Sequence, residues 1–575
     1  MESQDSEEVK QEEVEYDDRN TIRIMIASDI HLGYLETDRE RGNDSFVSFE
    51  EILEQALDQE VDMVLLGGDL FHINKPSPTT LKKCLETLRK YCIGDRSVFI
   101  DVISDPKLVM CNDHVNYMDP NLNISLPVFT INGNHDDPSG PELVAALDIV
   151  SNSGLVNYFG KCTNLNEITL NPLIIQKNET KVAIFGLGYV KDERLCNMIK
   201  HNKVKYMKPT DDKDIIYILV LHQNRPERGT VKNIAEDSIP SFFHFILWGH
   251  EHECRIKPEY NTKQRFHVCQ PGSPVATSLC AGEAVQKKCG ILMCNKQNYK
   301  LVPRSLETVR PFVFENMTIE PDDIEEVIEE EIANTVDRMI EDAKKQLTGN
   351  PRQPKLPLIR LRVENCKPDT LSINPIVFGQ KYENKVANSN EILLIKNRRY
   401  RVDADKSMKG QMDHGEDQDY IDTCVEDLLQ SYYDQAGPEQ QLHSFLPSEL
   451  NESVKRFINQ EDRSVFGDII DYKLDAIMKH FETAKIKEEE IDSELTNFQT
   501  TIAENQGEEF KSFLVAENRT QTTNRTLGAT MIDIDSDNEM ETSTVETPVR
   551  PARGRGSRGG RGSRGPRGSR ARGKK

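Results

Sequence analysis

Five short polar segments of this chain each come directly after an apolar run, and they contain side chains that can bind metal ions or transfer protons. The clearest is PVFTINGNHDD, residues 127–137, in which the apolar stretch runs into Asn134, His135 and Asp136. One such segment is compatible with an ordinary turn, whereas five of them indicate a shared site. Candidate ligands across the five segments are Asp29, His31, Asp69, Asn134, His222, His250 and His252.

This mixture of carboxylate, amide and imidazole groups suits Mn²⁺, Fe or Zn²⁺, and the lack of a thiolate in the set argues against a closed structural zinc site. The set is larger than one ion takes from protein while a position stays open for a reactant, so two ions that share one carboxylate are the economical interpretation. Two metal ions about 3.5–4 Å apart favour attack on a phosphate ester. For any single histidine here a core or surface role is the better interpretation, so the prediction depends on the whole set.

The apolar runs predict the strands that position these residues, because they are short, rich in β-branched or aromatic residues and bounded by turn-forming residues. The predicted strands are residues 22–27, 61–66, 128–131, 181–185, 215–221 and 243–248. Apolar residues at helical spacing predict helices at 45–57, 78–91 and 141–150. If the strands are neighbours in one sheet, the carboxyl ends of five of them converge on one edge and form a single cluster.

The composition sets broad limits. The 575 residues allow two or three domains, and the formal net charge of −24 is unevenly distributed. Residues 550–575 carry nine Arg, two Lys and no acidic residue, which favours nucleic-acid contact, whereas the acidic remainder argues mildly against it. Twelve cysteines without a C-x-x-C pair indicate buried thiols in a reducing compartment. No apolar run is long enough for a membrane span and the acidic N-terminus has no signal region, so we expect an intracellular protein that does not bind membranes.

The order of the polar segments resembles that of the calcineurin-like metallophosphoesterase superfamily: Asp29-x-His31, Gly68-Asp69, Gly133-Asn134-His135-Asp136, His222 and Gly249-His250-x-His252. The surrounding segments GGDLFHINKPS, LHQNR and ILWGHEHECRI are similar to those of the eukaryotic double-strand-break repair nucleases, the Mre-eleven family, and the resemblance extends over residues 20–400. It implies an α/β fold: a metallophosphoesterase β-sandwich flanked by helices, then a small α+β capping domain, partner-binding helices and a disordered C-terminal tail. The protein-phosphatase branch, with GDxVDRG and GNHE, is less similar.

The resemblance also implies a role for each polar residue. One Mn²⁺ ion would be held by Asp29, His31, Asp69 and His252, and a second by Asp69, Asn134, His222 and His250, with Asp69 as the bridge. His135 resembles the family's catalytic histidine, which protonates the leaving sugar oxygen or stabilises charge there, and imidazole suits this role because it titrates near neutral pH. His72 resembles a family histidine that lies near the scissile phosphate. The alternative is that His72 is a loop side chain that makes no contact with the substrate.

Changes in composition divide the chain further. We expect a disordered acidic leader at 1–20, a nuclease domain at 21–308 with an insertion at 92–127, a capping and DNA-binding domain at 309–410, a helical segment at 411–485, an acidic and Ser/Thr-rich disordered linker at 486–549 and an Arg-Gly-rich tail at 550–575. Strands at 309–319 and 358–363 and a helix at 322–347 are predicted within the capping domain. From the residues alone, a plain packing module is nearly as good an interpretation of it.

The partners are implied mainly by the family. The helices at 420–481 are too few to bury their own apolar faces, and the corresponding segment of the family binds the coiled-coil base of the Rad-fifty ABC-type ATPase. The insertion at 92–127 lies where eukaryotic members bind nibrin, and the helices at 78–91 and 141–150 match the family's homodimer contacts. The Arg-Gly tail suits contact with nucleic-acid phosphates or, alternatively, a solubilising or localisation role.

These expectations combine into a manganese-dependent DNA phosphodiesterase of the nucleus and chromosome. Its implied activities on double-strand-break ends are 3′-to-5′ exonuclease and single-strand endonuclease. A DNA-tethering and checkpoint scaffold with a vestigial or regulatory nuclease site is the alternative from a different class. A metallophosphoesterase for small molecules is a third hypothesis, and the partner-binding helices and the Arg-Gly tail argue against it.

Overall fold

The computed structural model describes residues 16–140, 142–164, 166–209, 214–225, 233–319, 325–365 and 373–397, together with positions 454, 470, 474 and 478. All of them belong to the first of the two units into which the chain divides, Met1–Thr501 and Ile502–Lys575. The predicted leader up to residue 15, most of the helical segment at 411–485, the linker at 486–549 and the tail at 550–575 lie outside the described residues. None of the described helices is long and apolar enough to cross a membrane.

The secondary structure of these residues is as follows. The strands are β1 (Ile22–Ala27), β2 (Met63–Leu66), β3 (Asp101–Val102), β4 (Val128–Thr130), β5 (Asn157–Tyr158), β6 (Ile168–Leu170), β7 (Leu173–Lys177), β8 (Thr180–Leu187), β9 (Val204–Tyr206), β10 (Ile215–His222), β11 (Phe245–Gly249), β12 (Arg255–Asn261), β13 (Phe266–Gln270), β14 (Lys288–Asn295), β15 (Asn298–Ser305), β16 (Phe312–Ile319), β17 (Leu358–Asn365) and β18 (Leu393–Asn397). The helices are α1 (Asp44–Asp58), α2 (Pro78–Cys92), α3 (Ala146–Asn152), α4 (Asp192–Lys200), α5 (Glu325–Lys344) and α6 (Pro375–Gln380).

Two mixed sheets pack face to face. The first has the order β15-β14-β1-β2-β4-β5, and the second has the order β12-β13-β11-β10-β8-β7-β3. Strands β1, β2, β4 and β5 are parallel to one another, as are β8, β10, β11 and β13. The five strands that precede the polar segments are therefore divided between the two sheets of the predicted sandwich, and they are not neighbours in one sheet. Each run has apolar residues on both faces, and such a run does not show which sheet it joins.

Strand β1 shows how the layers are arranged. Ile22, Ile24 and Ile26 lie in the core between the two sheets, whereas Met25 and Ala27 lie in the core beneath the helices. Because side chains alternate along a strand, a strand that is buried on both faces has a continuous apolar sequence. Helices α1, α2 and α3 cover the first sheet and α4 covers the second. The predicted sandwich flanked by helices is confirmed.

The helix bounds show where local signals succeed and fail. Helix α2 begins at Pro78 as predicted, because the Ser77 hydroxyl accepts a hydrogen bond from the backbone N–H of Thr80 and proline fits the first helical position. The start predicted for the third helix at residue 141 was wrong. Helix α3 begins only at Ala146, where the Asp148 carboxylate accepts a hydrogen bond from the N–H of Ala145 at 2.7 Å.

The stretch at 92–127 is folded onto the sandwich and contacts both sheets. Its strand β3 pairs with β7 at the end of the second sheet. On the side of the first sheet, the Nδ2 amide of Asn157 in β5 donates to Asn116 Oδ1 at 2.9 Å, and the backbone N–H of Asn116 donates to Asn157 Oδ1 at 2.9 Å. The stretch is therefore a structured insertion.

A smaller, three-stranded sheet follows the sandwich. It has the order β16-β17-β18 with all strands parallel, and α5 and α6 pack on one face. Along β17, Ile359, Leu361 and Val363 face these helices, so Arg360 and Arg362 point to the opposite face. The predicted small α+β module is confirmed, with its strands in a fully parallel arrangement.

A buried ion pair fastens this module to the sandwich. The guanidinium of Arg310, just before β16, donates two hydrogen bonds to the Asp44 carboxylate at the start of α1, at 2.6 and 2.8 Å. Both side chains are largely buried. The paired geometry matches the fork of a guanidinium to the two oxygens of a carboxylate.

Candidate metal centre

The polar segments after the five strands meet at the carboxyl ends of those strands, which belong to both sheets. Four of the predicted ligands have a left-handed backbone conformation, with φ of 54° at Asp29, 51° at His31, 51° at Asp69 and 84° at His250. Residues other than glycine adopt this conformation rarely, at a cost of about 1–3 kcal/mol each, and such residues cluster at functional sites. Among the described residues other than glycine, thirteen have this conformation, and four of them are candidate ligands.

Gly133 allows the segment after β4 to lie directly against Asp69. A Cβ atom at residue 133 would lie 2.5 Å from Cγ and 2.7 Å from the backbone nitrogen of Asp69. The buried carboxylate of Asp136 then ties the two segments together, because it accepts hydrogen bonds from the backbone N–H groups of Gly133 at 2.6 Å and Leu70 at 2.7 Å. Burial and the nearby Asp69 raise the pKa of Asp136 to about 7. Asp136 therefore holds the two ligand-bearing segments together. The spacing of residues in the sequence does not distinguish this role from that of a metal ligand.

One group of candidate ligands consists of Asp29, His31 and His252, whose ligand atoms lie within 4.8 Å of one another. The Nε2 atoms of His31 and His252 are 3.0 Å apart, and Asp29 Oδ1 lies 3.8 Å from His252 Nε2. Asp69 borders this group, since its Oδ2 lies 3.8 Å from His31 Nε2.

A second group consists of Asp69, His222 and His250, again with ligand atoms within 4.8 Å. Asp69 Oδ2 lies 3.2 Å from His222 Nε2. Asn134 Oδ1 lies 3.2 Å from His222 Nε2 and 2.8 Å from His250 Nδ1. The structure thus brings all seven sequence-predicted ligands together, and Asp69 lies between the two groups.

Hydrogen bonds on the far side of the imidazole rings determine which nitrogens face the centre. His222 Nδ1 donates to the carbonyl oxygen of Gly67 at 2.8 Å. His250 Nε2 donates to Asn224 Oδ1 at 3.1 Å, because the amide nitrogen of Asn224 is committed to Asp192 at 2.6 Å. In the neutral rings, the lone pairs of His222 Nε2 and His250 Nδ1 therefore face the oxygens of Asp69 and Asn134.

These inward-facing atoms are all acceptors, so they repel one another unless a positive charge lies between them. Asp69 Oδ2 is fully buried and makes no hydrogen bond with any described residue. A buried carboxylate oxygen in this state is costly unless a cation or a proton compensates it. Carboxylate, amide oxygen and imidazole together suit a divalent metal ion. The residues present therefore fit a metal centre.

The pKa shifts show which groups take up protons when no cation binds. Burial lowers the pKa of His222, but the Asp69 and Asp29 carboxylates raise it by more, to about 10. Burial raises the pKa of Asp69, and His222 and His31 lower it by more, to well below its ordinary value. Burial also lowers the pKa of His31 well below its ordinary value, which keeps that ring neutral. A metal ion must therefore displace a proton from His222.

His252 is oriented from behind by a residue to which sequence reasoning assigned no role. Its Nδ1 atom lies 2.7 Å from Thr277 Oγ1 and 3.3 Å from Glu283 Oε1. The buried Glu283 carboxylate accepts hydrogen bonds from the backbone N–H groups of Thr277 at 2.9 Å and Ser278 at 2.8 Å. A carboxylate behind a metal-binding histidine fixes the ring orientation and raises its basicity. Nothing in the sequence connects residues 252 and 283 before the fold is known.

His72 and His135 lie beside the first ligand group. Their rings stack with centroids 5.0 Å apart, and both contact the ring of His31. His135 Nδ1 donates to the carbonyl oxygen of His72 at 2.7 Å, and the backbone N–H of His135 donates to Asp69 Oδ1 at 2.8 Å. Burial and the neighbouring His135 lower the pKa of His72 to about 4, so His72 is neutral at physiological pH. Nε2 of His135 is left as the ring atom that can exchange a proton.

The fold and this centre agree with matches to two known families. Residues 22–254 match the calcineurin-like phosphoesterase family, and residues 299–457 match the Mre11 DNA-binding presumed domain. The sandwich, the two ligand groups and the first match together define the class: this part of the chain is a calcineurin-like metallophosphoesterase domain, which binds divalent metal ions.

Similarity to individual proteins extends over most of the chain. The double-strand break repair protein MRE11 of Gallus gallus is 40% identical over 513 residues, which covers 86% of this chain and 73% of that protein. The MRE11 of Homo sapiens is 38% identical, covering 86% and 72%, and that of Arabidopsis thaliana is 40% identical over 475 residues, covering 79% and 64%. The chain belongs to the MRE11 family of double-strand break repair proteins.

Proposed function

We propose that this protein is a two-metal DNA phosphodiesterase that uses Mn²⁺ to process the ends of DNA double-strand breaks. The observation that carries the proposal is the convergence of the buried Asp69 Oδ2, Asn134 Oδ1 and two imidazole lone pairs on one space. In this assignment one ion is held by Asp29, His31, Asp69 and His252 and the other by Asp69, Asn134, His222 and His250. The mixture of oxygen and nitrogen ligands suits Mn²⁺.

Two bound ions would supply an activated water molecule and neutralise charge on the phosphodiester. The protein contributes ligands that are oriented before the substrate arrives. His222 is held by Gly67, His250 by Asn224 and His252 by Glu283. These three hydrogen bonds come from three separate parts of the fold, so the direction of each ring is set independently of the substrate. Such preorganisation lowers the cost of stabilising charge in the transition state.

His135 is the proposed general acid. Its Nδ1 is committed to the carbonyl oxygen of His72, and its backbone is fixed to Asp69. When the ring is protonated, Nε2 carries the proton that can be given to the leaving sugar oxygen. His72 supports the ring of His135 by stacking and, being neutral, adds no charge near the phosphate. The nitrogens of His31, His72 and His135 also lie within 4.8 Å of one another, but this group contains no carboxylate.

The proposed substrate is DNA with double-strand ends, hairpins or single strands. The proposed activities on it are those of a 3′-to-5′ exonuclease and a single-strand endonuclease. The name of the relatives, double-strand break repair protein, supports this substrate class. In the small module, Arg360, Arg362 and Lys396 lie on the sheet face opposite the helices, within the segment that matches the Mre11 DNA-binding presumed domain. Glu364 shares this face and pairs with Arg362 at 3.4 Å, so the face carries three cations and one acid among these residues, and its net positive charge suits contact with DNA phosphates.

Two groups of exposed apolar side chains support the proposal that the protein binds other proteins. Phe99, Ile103, Leu108 and Met118 of the insertion are each more than half exposed, which favours this surface as the proposed nibrin site. Ile470, Leu474 and Met478 are also exposed and recur every four residues, as on one face of a helix, which favours docking to a coiled-coil ATPase of the Rad-fifty type.

The proposal includes a homodimer and a nuclear, chromosomal location. Val144 and Ile149, at and just before α3, are 46% and 51% exposed, so this helix has apolar surface to offer a second copy. The location follows from the repair role of the relatives.

The decisive assay measures cleavage of a 3′-labelled DNA duplex with Mn²⁺, Mg²⁺ or chelator, for the wild type and His135→Asn. The substitution removes the proton donor and leaves the seven proposed ligands in place. We expect Mn²⁺-dependent cleavage that falls at least about 100-fold in His135→Asn, in line with the usual contribution of a general acid. Metal content, measured in parallel, should stay at the wild-type value. The exposed His201 provides a control, and His201→Asn should cleave like the wild type.

A DNA-tethering scaffold with a regulatory nuclease site is the second candidate. The exposed apolar side chains of the insertion favour it, because they suit assembly and are not needed for cleavage. If purified, metal-loaded protein does not cleave DNA with or without an ATPase partner, the scaffold is the better account.

A further inference from the structure

A cavity of about 410 Å³ lies between the sandwich and the small module. Its apolar wall includes Val275, Ala276, Leu306, Phe312 and Leu358, contributed by both parts of the fold. A cavity of this size, with apolar walls and a few polar groups, is typical of sites for small organic molecules.

The charged groups that line the cavity are four cations and two acids. The cations are Arg41, Lys287, Arg310 and Lys345, and the acids are Asp44 and Glu283. Both acids are already committed: Asp44 accepts two hydrogen bonds from Arg310, and Glu283 accepts backbone N–H groups of Thr277 and Ser278. Arg310 is therefore neutralised within the wall, and Lys345 pairs with the exposed Asp342 at 2.7 Å.

Arg41 and Lys287 differ from the other two cations, because they are buried and the hydrogen bonds and ion pairs of their charged groups with described residues are long. Each is only 5% exposed. Arg41 also lies over the Tyr34 ring, 5.5 Å from its centroid. The Arg41 guanidinium donates to Tyr34 Oη, the carbonyl oxygen of Ala276 and Glu391 Oε2, each at 3.4 Å. Lys287 Nζ lies 3.4 Å from the carbonyl oxygen of His252 and 3.9 Å from Glu283 Oε2. Well-formed hydrogen bonds between charged groups are about 2.7–2.9 Å long.

A buried cation is costly unless a close partner compensates its lost hydration. Two such cations on the wall of one cavity therefore favour a ligand that brings a negative charge. The apolar wall favours a ligand whose remaining part is hydrophobic, since that part leaves water on binding. The volume limits the ligand to a small molecule and excludes a folded partner or a DNA duplex.

We propose that this cavity binds a small organic anion, with a carboxylate or phosphate group at Arg41 and Lys287 and an apolar body against Val275, Ala276 and Phe312. The ligand touches both the sandwich and the module, so its binding stabilises their arrangement. The cavity adjoins the metal centre through Glu283, which lines the cavity and also contacts His252, but the proposed ligand needs no metal ion.

The test is isothermal titration calorimetry on the full-length, metal-free protein. The probes are 1-naphthoate, 1-naphthyl phosphate and the neutral 1-naphthalenemethanol. We expect at least one anion to bind at least tenfold more tightly than the alcohol, and the stronger of the two anions identifies the natural group as carboxylate or phosphate. Binding should raise the midpoint of thermal unfolding.

Two variants locate the binding site. Lys287→Met removes one cation with little change in length, and the anion should bind at least tenfold more weakly. Val285 lies on the cavity wall and is 39% exposed, so Val285→Trp can narrow the cavity without disturbing a core. This variant should also bind the anion at least tenfold more weakly. The matched control, Val377→Trp, lies on the exposed side of α6 and should leave affinity unchanged.

Three results would overturn the proposal: no binding of either anion, equal binding of the anions and the alcohol, or anion affinity that is unchanged in Val285→Trp. The last variant keeps the test decisive even if Lys287→Met does not fold. Loss of affinity in the Val377→Trp control as well would count against the cavity as the site.

Discussion

Gly133→Ala is predicted to weaken the binding of both metal ions by displacing one carboxylate. A Cβ atom at this position would lie 2.5 Å from Asp69 Cγ and 2.7 Å from the backbone nitrogen of Asp69, whereas ordinary contact begins at 3.4 Å. The carboxylate carbon would therefore have to move by about 0.9 Å, while metal–ligand distances tolerate only about 0.2 Å. Since Asp69 borders both ligand groups, the shift affects both ions together.

The expected size of the effect follows from this geometry. Loss of a group that hydrogen-bonds to a metal ligand lowers metal affinity about 10–100-fold. Loss of a ligand that both ions share should have a larger effect, so we expect metal affinity to fall at least about 100-fold, which corresponds to about 2.7 kcal/mol of binding free energy. Crowding within a packed region also lowers the free energy of unfolding by about 1–3 kcal/mol. The fold should survive this cost, because the substitution adds a single methyl group.

The assay is Mn²⁺ titration by calorimetry, with circular dichroism to establish that the variant is folded. Gly282→Ala is the matched control, because a Cβ atom there meets only ordinary contacts at 3.5 Å or more. If folded Gly133→Ala binds two ions with wild-type affinity, Asp69 is not the shared ligand and the assignment of the centre is refuted. If it loses only one ion, Asp69 serves a single ion.

Three further predictions follow from the contacts around the centre and the module. Glu283→Gln should weaken binding of the ion at His252 about 10–100-fold and leave the other ion unaffected, as measured by calorimetry. The control Glu253→Gln, at a partly exposed side chain that pairs with Arg255, should change the binding of neither ion. The pKa of His222 in the metal-free protein is raised to about 10, so below that pH a metal ion must displace a proton. The affinity for the metal ion should therefore rise with pH up to about 10, by about tenfold per pH unit if one proton is released. Calorimetry in buffers of different ionisation enthalpy counts the released protons. Arg362→Ala should weaken DNA binding for all sequences and reduce the slope of log affinity against log salt by about 1, as measured by fluorescence anisotropy.

The sequence predicted the candidate site better than it predicted the arrangement around it. All seven candidate ligands lie together because each follows a strand end, and a strand end is a local feature that composition reveals. The division of those strands between two sheets depends on contacts between distant residues, such as the core shared by Ile24 and Ile218. A run that is apolar on both faces carries no information about which sheet it joins, so only the family resemblance indicated a sandwich.

The residues that orient the ligands were beyond sequence reasoning for the same physical reason. Glu283 acts through a side-chain hydrogen bond to His252, which lies 31 residues away along the chain. Asn224 acts through one to His250, which lies 26 residues away. Asp136 lies within the GNHD segment, yet its carboxylate turns to backbone N–H groups and away from the ligand groups. Roles of this kind follow from side-chain direction, which spacing does not determine. The domain bounds and the assignment of ions to ligands stay predictions.

The most direct test of the central claim is crystallography of the Mn²⁺-loaded protein with anomalous scattering at the manganese edge. The account predicts two anomalous peaks about 3.5–4 Å apart, the separation typical of two-metal phosphoesterase centres. One peak should be bound by His31 and His252, the other by His222 and His250, and Asp69 should contact both. A single peak, or two peaks without a shared Asp69, would contradict it.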